Sequence, residues 1–511
     1  MTQPSAREIL TPDEMAAVDR MAIAAGPFDG PALMRHAGAA VAAVVLERCP
    51  DAARIDVLCG PGNNGGDGYV AAGLLTQAGA AVRLWALAPP RAGSDAAGAA
   101  AACPLKPRPL QDFEPDAGAV VIDALFGAGL SKAVEGEAAR AIEACNASGV
   151  RVVAVDLPSG VPGATGQPLG PAFRADATVT FVRKKPGHWL MPGRALCGDI
   201  VVADIGISDT IVAAAGSTCR ENGPALWQAS WPRLDAGTHK YRRGHVGVFS
   251  GPATATGAAR LAAMAAARSG AGAVTVLSPA EALAVNGAQL TSIMLRCCEG
   301  FDDARAFVAE RRADALVVGP GLAAEAATAQ LVVDLVGYRP ERAPLALVVD
   351  ASALTALAGD PASFFAAAGS PGGAALVLTP HEGEFARLFP DLSEGSKPER
   401  ARVAAERSNA VVVLKGFDTV IAAPDGRVAI NGNGTPLLAT AGSGDVLSGI
   451  VAALLAQGMP AFEAACAAVW LHAEAAWRFG PGLIAEDLPL ALRPVLAELA
   501  GLEWGGREPM L

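Results

Sequence analysis

The sequence predicts an α/β protein of two domains, each built on a parallel sheet with helices on both faces. Three observations lead there. Short continuous apolar runs recur at Arg54–Gly60, Ala119–Ile122, Arg151–Val155, Ala315–Val318, Leu345–Val349, Ala375–Leu378 and Ala410–Leu414. Unbroken apolar strands alternating with helical stretches imply a sheet buried on both faces. Most of these runs end in Gly, Asn, Asp or Lys clusters, and open parallel sheets bind ligands beyond the carboxyl ends of their strands. Finally, strand and helix patterning lapses over 213–224 and restarts at 244–250. The boundary belongs there, giving domains of 1–215 and 225–505, for which 511 residues are ample.

Composition narrows the class. Hydrophobic residues make up 52% and charged residues 18%, as in a well-buried globular chain. A net charge of −11 argues against nucleic acid as the main partner. It leaves room for anionic nucleotides held by backbone donors. No run reads as a membrane span, and MTQPSAREILTPDEM lacks a signal-peptide pattern. Nine cysteines without C-x-x-C support neither a zinc ribbon nor a disulfide framework. Free thiols suit a reducing, cytoplasmic setting.

In the first half, Thr11-Pro12-Asp13-Glu14 reads as a capping box with Pro at the first helical position. After the strand at 54–60 comes an eight-residue Gly/Asn/Asp turn, Pro61–Gly68, and a helix from Tyr69. Gly60, Gly62 and Gly65 satisfy G-x-G-x-x-G, but the next strand lacks the carboxylate expected for a ribose. Asn63, Asn64 and Asp67 supply oxygen ligands and amide donors that a plain turn does not need. Two more strands end in Asp123 and Asp156, which places three strand ends at one site. Lys184, Lys185 and His188 read as surface residues or as anion contacts.

In the second half, strand ends carry Gly319-Pro320-Gly321, Asp350, Thr379-Pro380-His381-Glu382 and Lys415–Thr419, followed by a hairpin-like VIAAPDGRVAI. No P-loop motif is present. ATAGSGDVLSG, residues 439–449, is the most informative stretch. Gly442 and Gly444 let backbone N–H groups approach an anion, and a helix N-terminus adds its positive dipole end. Asp445 is misplaced as an anion ligand and suits a base, or an organiser of a cation or hydroxyl. His239, His245 and His472 read as structural. His381 alone reads as a helix-cap or surface residue, with its neighbours Glu382 and Glu384 favouring a site.

GPGNNGGDGYVAA, DALFGAGLSKAVEG and DLPSGVPGATG resemble the NAD(P)H-hydrate epimerase domain over about residues 1–215. The resemblance implies a Rossmann-like three-layer α/β/α domain. It would interconvert the R and S forms of nicotinamide cofactors hydrated at C6. It places substrate contacts at Asn63, Asn64, Gly65, Gly66, Asp67, Gly127, Ala128, Gly129, Leu130, Ser131, Lys132, Ala133 and Asp156. It places a potassium ion at Asn64, Asp123 and Ser159. C6 of the hydrate is a hemiaminal carbon, so water can leave and return, and Asp156 is the expected proton shuttle.

HKYRRGHVGVFSG, VVGPGL, VDASAL, LTPHEGEFARL, VLKGFDTVIA and TAGSGDVLSGIVAALLAQG resemble the NAD(P)H-hydrate dehydratase domain of the ribokinase-like superfamily, over about 238–500. The resemblance implies substrate contacts at Ala258, Gly321, His381 and Asp445. It assigns the adenine nucleotide to Lys415, Gly416, Phe417, Asp418, Thr419 and Gly444, with Mg²⁺ on the nucleotide. ADP is the donor the fused bacterial family favours, with ATP the alternative. Asp445 would take the hydroxyl proton, and phosphate would then be eliminated. The family also implies a homo-oligomer. Glu382 stands where the family more often has Pro, which would leave that loop less fixed. The competing reading is a small-molecule kinase, for example of a vitamin precursor, with an appended nucleotide-binding domain.

Overall fold

The structure is a computed structural model that describes residues 7–116, 118–235, 237–341, 344–370 and 374–501. The chain divides into two compact units, Arg7–Cys219 and the part from Arg220 on.

In the first unit, Thr11 caps α1 (Pro12–Ala25) with the reciprocal bonds of a capping box: its hydroxyl accepts from Glu14 N–H, and the Glu14 carboxylate accepts from Thr11 N–H at 2.7 Å. Seven strands follow: β1 (Arg54–Cys59), β2 (Val82–Ala86), β3 (Arg108–Pro109), β4 (Ala119–Ala124), β5 (Arg151–Val155), β6 (Ala177–Phe181) and β7 (Asp199–Ala203). They form one parallel sheet in the order β3-β2-β1-β4-β5-β6-β7. Alternate strand residues face opposite layers. Val57, Ile122, Val153 and Val179 pack against α2 (Gly30–Arg48) and α3 (Asn63–Gln77) through Val41, Ala72 and Leu75. Leu58, Val121 and Val152 pack against α4 (Gly136–Ser148) through Ala138 and Ile142. Each such aliphatic side chain, fully buried, stabilises the unit by roughly 1.5–3 kcal/mol relative to exposure. The strand order reverses between β1 and β4, which opens a crevice at their carboxyl ends.

The turn expected over Pro61–Gly68 is shorter than the sequence suggested. Helix α3 already begins at Asn63. Its glycines serve close packing rather than a turn. A Cβ on Gly65 would lie 1.9 Å from the Gly60 carbonyl oxygen, one on Gly66 2.5 Å from Met34 Sδ, and one on Gly68 2.6 Å from Ala124 Cβ.

The second unit holds a ten-stranded sheet. Its strands are β8 (Cys219–Asn222), β9 (His245–Phe249), β10 (Ala273–Ser278), β11 (Met294–Cys297), β12 (Ala315–Val318), β13 (Ala346–Val349), β14 (Ala375–Leu378), β15 (Val411–Leu414), β16 (Val420–Ala422) and β17 (Val428–Asn431). The order is β11-β10-β9-β12-β13-β14-β15-β16-β17-β8. The sheet is parallel from β11 to β15. It turns antiparallel at β16 and β17, as the hairpin pattern suggested. Its reversal point lies between β9 and β12.

The helix Ser443–Ala456 is buried along nearly its whole length, against Val248, Val317 and Val348 and the alanines of the helix Gly257–Arg268. The alanines have a reason. A Cβ on Gly449 would stand 2.1 Å from the Ala262 carbonyl oxygen, so only small residues allow the two helices to approach this closely. The strand residues facing the other way include Leu316, which with Phe307 fills the space left by Gly247.

Candidate active sites

In the first unit, a cavity of about 720 Å³ opens at the β1/β4 reversal point. Asn63, Asn64, Asp67, Gly127, Ala128, Gly129, Leu130, Ser131, Lys132 and Asp156 line it, along with Asp19, Asp95 and Lys185. Gly65, Gly66 and Ala133 do not line it. The two glycines are buried in the α3 packing just described.

Asp156 follows β5 with φ at +63°, a left-handed conformation rarely adopted outside glycine. Both of its carboxylate oxygens are engaged. Oδ1 accepts from Lys185 Nζ at 2.7 Å and Thr180 Oγ1 at 3.0 Å, and Oδ2 accepts from Ala128 N–H at 2.9 Å. Its backbone carbonyl accepts from His188 Nε2 at 2.7 Å, while His188 Nδ1 accepts from Lys185 N–H at 2.9 Å. That pairing fixes a neutral imidazole. Burial, with Lys185 adding to it, pulls His188 down to about 4. For Asp156, burial alone would raise the carboxyl. Lys185, His188 and the Ala128 amide override it and hold it at about 2.

Lys185 is 2% exposed and His188 fully buried, so the surface reading of these two residues is wrong. The signal was available: they follow β6, a fourth strand with its carboxyl end at the same crevice. Lys184 instead lies over the Trp189 ring at 4.2 Å.

The other carboxyls differ sharply. Burial drives Asp67 well above the usual range, with Asp156 and Asp19 reinforcing it and Lys185 opposing. Burial raises Asp19 to about 6, with Lys185 opposing and Asp156 reinforcing. One site therefore holds an ionised carboxylate, Asp156, beside a protonated acid, Asp67, and a group that titrates near 6, Asp19, the spread that separates acid and base roles.

Asp123 lies beneath the Phe126–Gly127 loop, fully buried. It accepts from Ser159 N–H and Ser159 Oγ, both at 2.6 Å, and from Leu125 N–H at 3.2 Å. Burial raises it to about 7, against the Ser159 bonds. Asn64 Nδ2 is buried without a partner. An ideal Cβ on Gly127 would sit 2.9 Å from Asn64 Oδ1 and 3.1 Å from Asp156 Oδ2, so the two side chains converge on that loop.

In the second unit, Lys415 Nζ at the end of β15 lies 2.8 Å from Asp350 Oδ1 at the end of β13. Asp350 also accepts from Ala351 N–H at 2.8 Å and Ser448 Oγ at 2.7 Å. Burial would discharge Lys415; Asp350 keeps it charged, with help from Glu384 and Asp445. Asp445 is raised to about 6 by burial, with Asp350 reinforcing and Lys415 opposing. The helix carrying it starts at Ser443, so Gly444 and Asp445 both sit in its first turn, where N–H groups lack helical partners.

Gly442 caps that helix with φ at +88°, and its Cβ position would fall 2.7 Å from Leu261 and 2.9 Å from Ala485. Leu261 lies one turn beyond Ala258. Gly321, at φ +75°, comes close to Ala255 and Ala258. The fold thus brings Ala258, Gly321, Gly442 and Asp445 to the β9/β12 reversal point.

His381 caps the helix Glu382–Leu388, with Nδ1 accepting from Gly383 N–H at 2.9 Å. The Glu382 loop is not loosened. His381 N–H donates back to Glu384, and Arg400 binds Glu382 through both guanidinium nitrogens at 3.1 Å. Glu382 stands at the first helical position, where Pro and Glu are both well tolerated. In the Lys415–Thr419 loop, Thr419 Oγ1 donates to Gly416 O at 2.7 Å, and Asp418 pairs with Lys397 Nζ at 2.6 Å. Lys397 and Ser448 were not singled out from the sequence, and Asp350 was named at its strand end without a role. Asp350 had a signal, being a carboxylate at a strand end.

A family model described as the YjeF-related protein N-terminus matches residues 30–187, and one described as NAD(P)H-hydrate dehydratase matches 246–489. The chain is 38% identical over 493 residues to the bifunctional NAD(P)H-hydrate repair enzyme Nnr of Moorella thermoacetica, with 91% of each chain covered. It is 37% identical over 535 residues to the enzyme of that name from Salinibacter ruber, covering 96% of this chain and 97% of that one. The chain belongs to the bifunctional NAD(P)H-hydrate repair enzyme family. Among solved structures it is similar to the ADP/ATP-dependent NAD(P)H-hydrate dehydratase of Bacillus subtilis, co-crystallised with ATP/Mg²⁺: 27% identity, TM-score 0.47, covering 55% of this chain and 98% of that one. The two family models fall one on each unit. Within the repair-enzyme family range, Asn63 to Lys185 lie in the first match and Ala258 to Asp445 in the second; Asp19 and His188 lie outside both.

Proposed function

We propose that the chain repairs hydrated nicotinamide cofactors in two steps. Residues 1–215 interconvert the R and S forms of NAD(P)H hydrate. Residues 225–505 dehydrate the S form at the expense of ADP, giving AMP and phosphate. The observation that carries this reading is the pairing, in one chain of this family, of a carboxylate-lined cavity with a helix N-terminus that presents Asp445 beside Lys415. Matches spanning nine-tenths of the relatives favour it over a kinase with an appended domain.

In the first site, backbone amides of the 127–132 loop, Lys132 and the α3 N-terminus suit the cofactor's diphosphate. Loss of water from C6 leaves an iminium cation. The ionised Asp156, held by Lys185, Thr180 and Ala128, stabilises that charge. The residues present fit a potassium ion. Asp123 is a buried carboxyl with only neutral donors around it, and Asn64 and Ser159 each add a side-chain oxygen, the ligand type a hard cation takes. Asn64, Asp123 and Ser159 would hold the ion, whose charge would balance Asp123.

In the second site, Gly442–Gly444 amides and the helix dipole stabilise charge on the transferring phosphoryl group. Asp445 takes the C6 hydroxyl proton as the oxygen attacks phosphorus. Phosphate then leaves C6 with the electron pair of the C–O bond, and loss of a C5 proton forms the ring double bond. Ala258, Gly321 and His381 contact the hydrate, while Lys415–Thr419 and Gly444 hold the nucleotide. Among the described residues no His/Cys/Asp/Glu cluster could hold a metal, so Mg²⁺ would arrive on the phosphates.

The decisive test mixes hydrated cofactor with the full chain and either ADP or ATP, and follows both epimers and dihydronicotinamide absorbance. Recovery of both epimers with free phosphate is expected. A stable phosphorylated product would sink the reading in favour of a kinase. A cytoplasmic location is part of the proposal, supported by nine free cysteines. So is a homo-oligomer, supported by the exposed apolar Trp477, Phe479, Ile484 and Leu490; light scattering at the monomer mass would refute it.

A further inference from the structure

We propose that Asp19 of α1 is the proton carrier of the first site: it protonates the departing C6 hydroxyl and takes a proton from the returning water. The proposal deepens the epimerase reading and rests on it.

Asp156 is poorly built for that task. Its two oxygens already accept from an ammonium, a hydroxyl and an amide, and a proton arriving there would discharge the partner of the buried Lys185. Asp67 errs in the other direction. It is 9% exposed, sits against Asp19 and Asp156, and cannot easily give up its proton into so acidic a setting.

Asp19 lies between these extremes. It lines the same cavity from α1, part-buried, and has no hydrogen-bond or ion-pair partner among the described residues. Both oxygens are therefore available to a ligand. The charged and titratable groups that face it are Lys185 and Asp156 from the strand ends and Asp67 from α3. Asp95 and Lys132 also line the cavity, and Arg20 follows it on its own helix. Its placement near 6 lets it cycle between acid and base at working pH.

The step balances without an oxidant. The Asp19 carboxylic acid gives its proton to the C6 oxygen. The C6–O bond breaks with its electron pair on the departing water, and the N1 lone pair forms the C6=N1 iminium. Water then adds to either face. Its oxygen forms the new C6–O bond, the π electrons return to N1, and the released proton goes to the Asp19 carboxylate. The Asp156 anion faces the cation throughout.

The experiment measures R/S exchange above the spontaneous rate, across pH 5–9 (an assay window chosen to bracket ~6), in the full chain and its Asp19→Asn, Asp19→Glu and Asp67→Asn variants. Asp19→Asn is expected to lower kcat by about 10²–10⁴-fold with KM little changed, and to remove the inflection near 6. Asp19→Glu should restore part of the rate with the inflection shifted. Dehydration of the S form should be unaffected in all three, and a thermal unfolding transition of the first unit at the wild-type midpoint or above reports that the mutated unit is folded. Wild-type rate or an unchanged inflection in Asp19→Asn overturns the proposal alone. Loss of the inflection in Asp67→Asn, with Asp19→Asn unaffected, assigns the proton to Asp67 and overturns it too. A wild-type chain that does not speed exchange overturns the epimerase reading and the proposal together.

Discussion

Lys415 and Asp350 form a 2.8 Å ion pair that joins the ends of two strands lying two places apart in the second sheet, β15 and β13. Asp350 is 1% exposed, so the lysine has no ready replacement for its partner from solvent. Asp350→Asn is expected to destabilise the second unit by about 3 kcal/mol, the usual consequence of leaving one member of a buried pair behind. Urea unfolding should show this, with dehydration lowered more than tenfold (a factor of ~10 per 1.4 kcal/mol) and R/S exchange unchanged.

Asp445→Asn should separate the two reactions. Dehydration is expected to fall by about 10²–10⁴-fold while epimerisation stays intact. In the wild-type chain the base form of Asp445 must be ionised. Since its value is about 6, dehydration kcat/KM should rise with pH through that point and level off above it. A flat profile from pH 5 to 8 (a window of roughly this width brackets the base) would remove Asp445 as the base.

Gly127→Ala tests the convergence of Asn64 and Asp156. The added methyl would press within 2.9 Å of one and 3.1 Å of the other. A perturbation of about 1–3 kcal/mol is expected, read as an increase of at least about tenfold in the epimerase KM. Unaltered kinetics would mean that the loop yields freely.

Asp67→Asn is expected to stabilise the first unit while impairing exchange. An acid whose folded value lies above its unfolded one binds more protons when folded. Stability then falls as pH rises above the ordinary carboxyl range and through the raised value. Asn removes that cost, so a melting temperature higher by a few degrees (about 2–4 °C per kcal/mol) is expected at pH 8, and no gain at pH 4. Thermal unfolding at both pH values decides it.

His188 and His472 predict an acid-sensitive fold in each unit. Burial holds both at about 4, below the ordinary 6.5. A histidine with a lowered folded value contributes stability above its unfolded value, and that stability is lost as pH falls toward the folded one. Each should account for up to roughly 3 kcal/mol of loss between pH 6.5 and 4. Urea midpoints across that range should drop in the wild-type chain and drop less steeply in His188→Gln and His472→Gln variants.

Most of the architecture was legible because apolar strands of four to six residues, ended by Gly, Asp or Lys, leave few alternatives to a parallel sheet. What escaped reading has physical causes. Asn63–Gly68 looked like a turn because glycine suggests one, yet there the missing side chains let a helix N-terminus pack closely against a strand and a neighbouring helix. Lys185 was hidden because a lysine's burial depends on a partner 29 positions away in sequence, which no local pattern announces. Asp19 was invisible for the same reason. On α1 it reads as one polar residue among apolar ones, and only the tertiary fold sets it in the cavity.

The strand β8 carries a consequence for the order in which the protein comes into being. It lies first in the second unit's sequence but last in its sheet, beside β17, where Asn222 Nδ2 donates to Asn431 Oδ1 at 2.9 Å. A chain leaving the ribosome cannot close that sheet until residue 431 has emerged, about 200 residues after Asn222, and so distant a pairing forms late. The first unit meets no such delay, since its most distant strand pairing, β1 with β4, joins Arg54 only to Ala119, and its last strand ends at Ala203. Its site can be complete and active while the second is still being translated, so a chain truncated near residue 220 should retain epimerisation on its own.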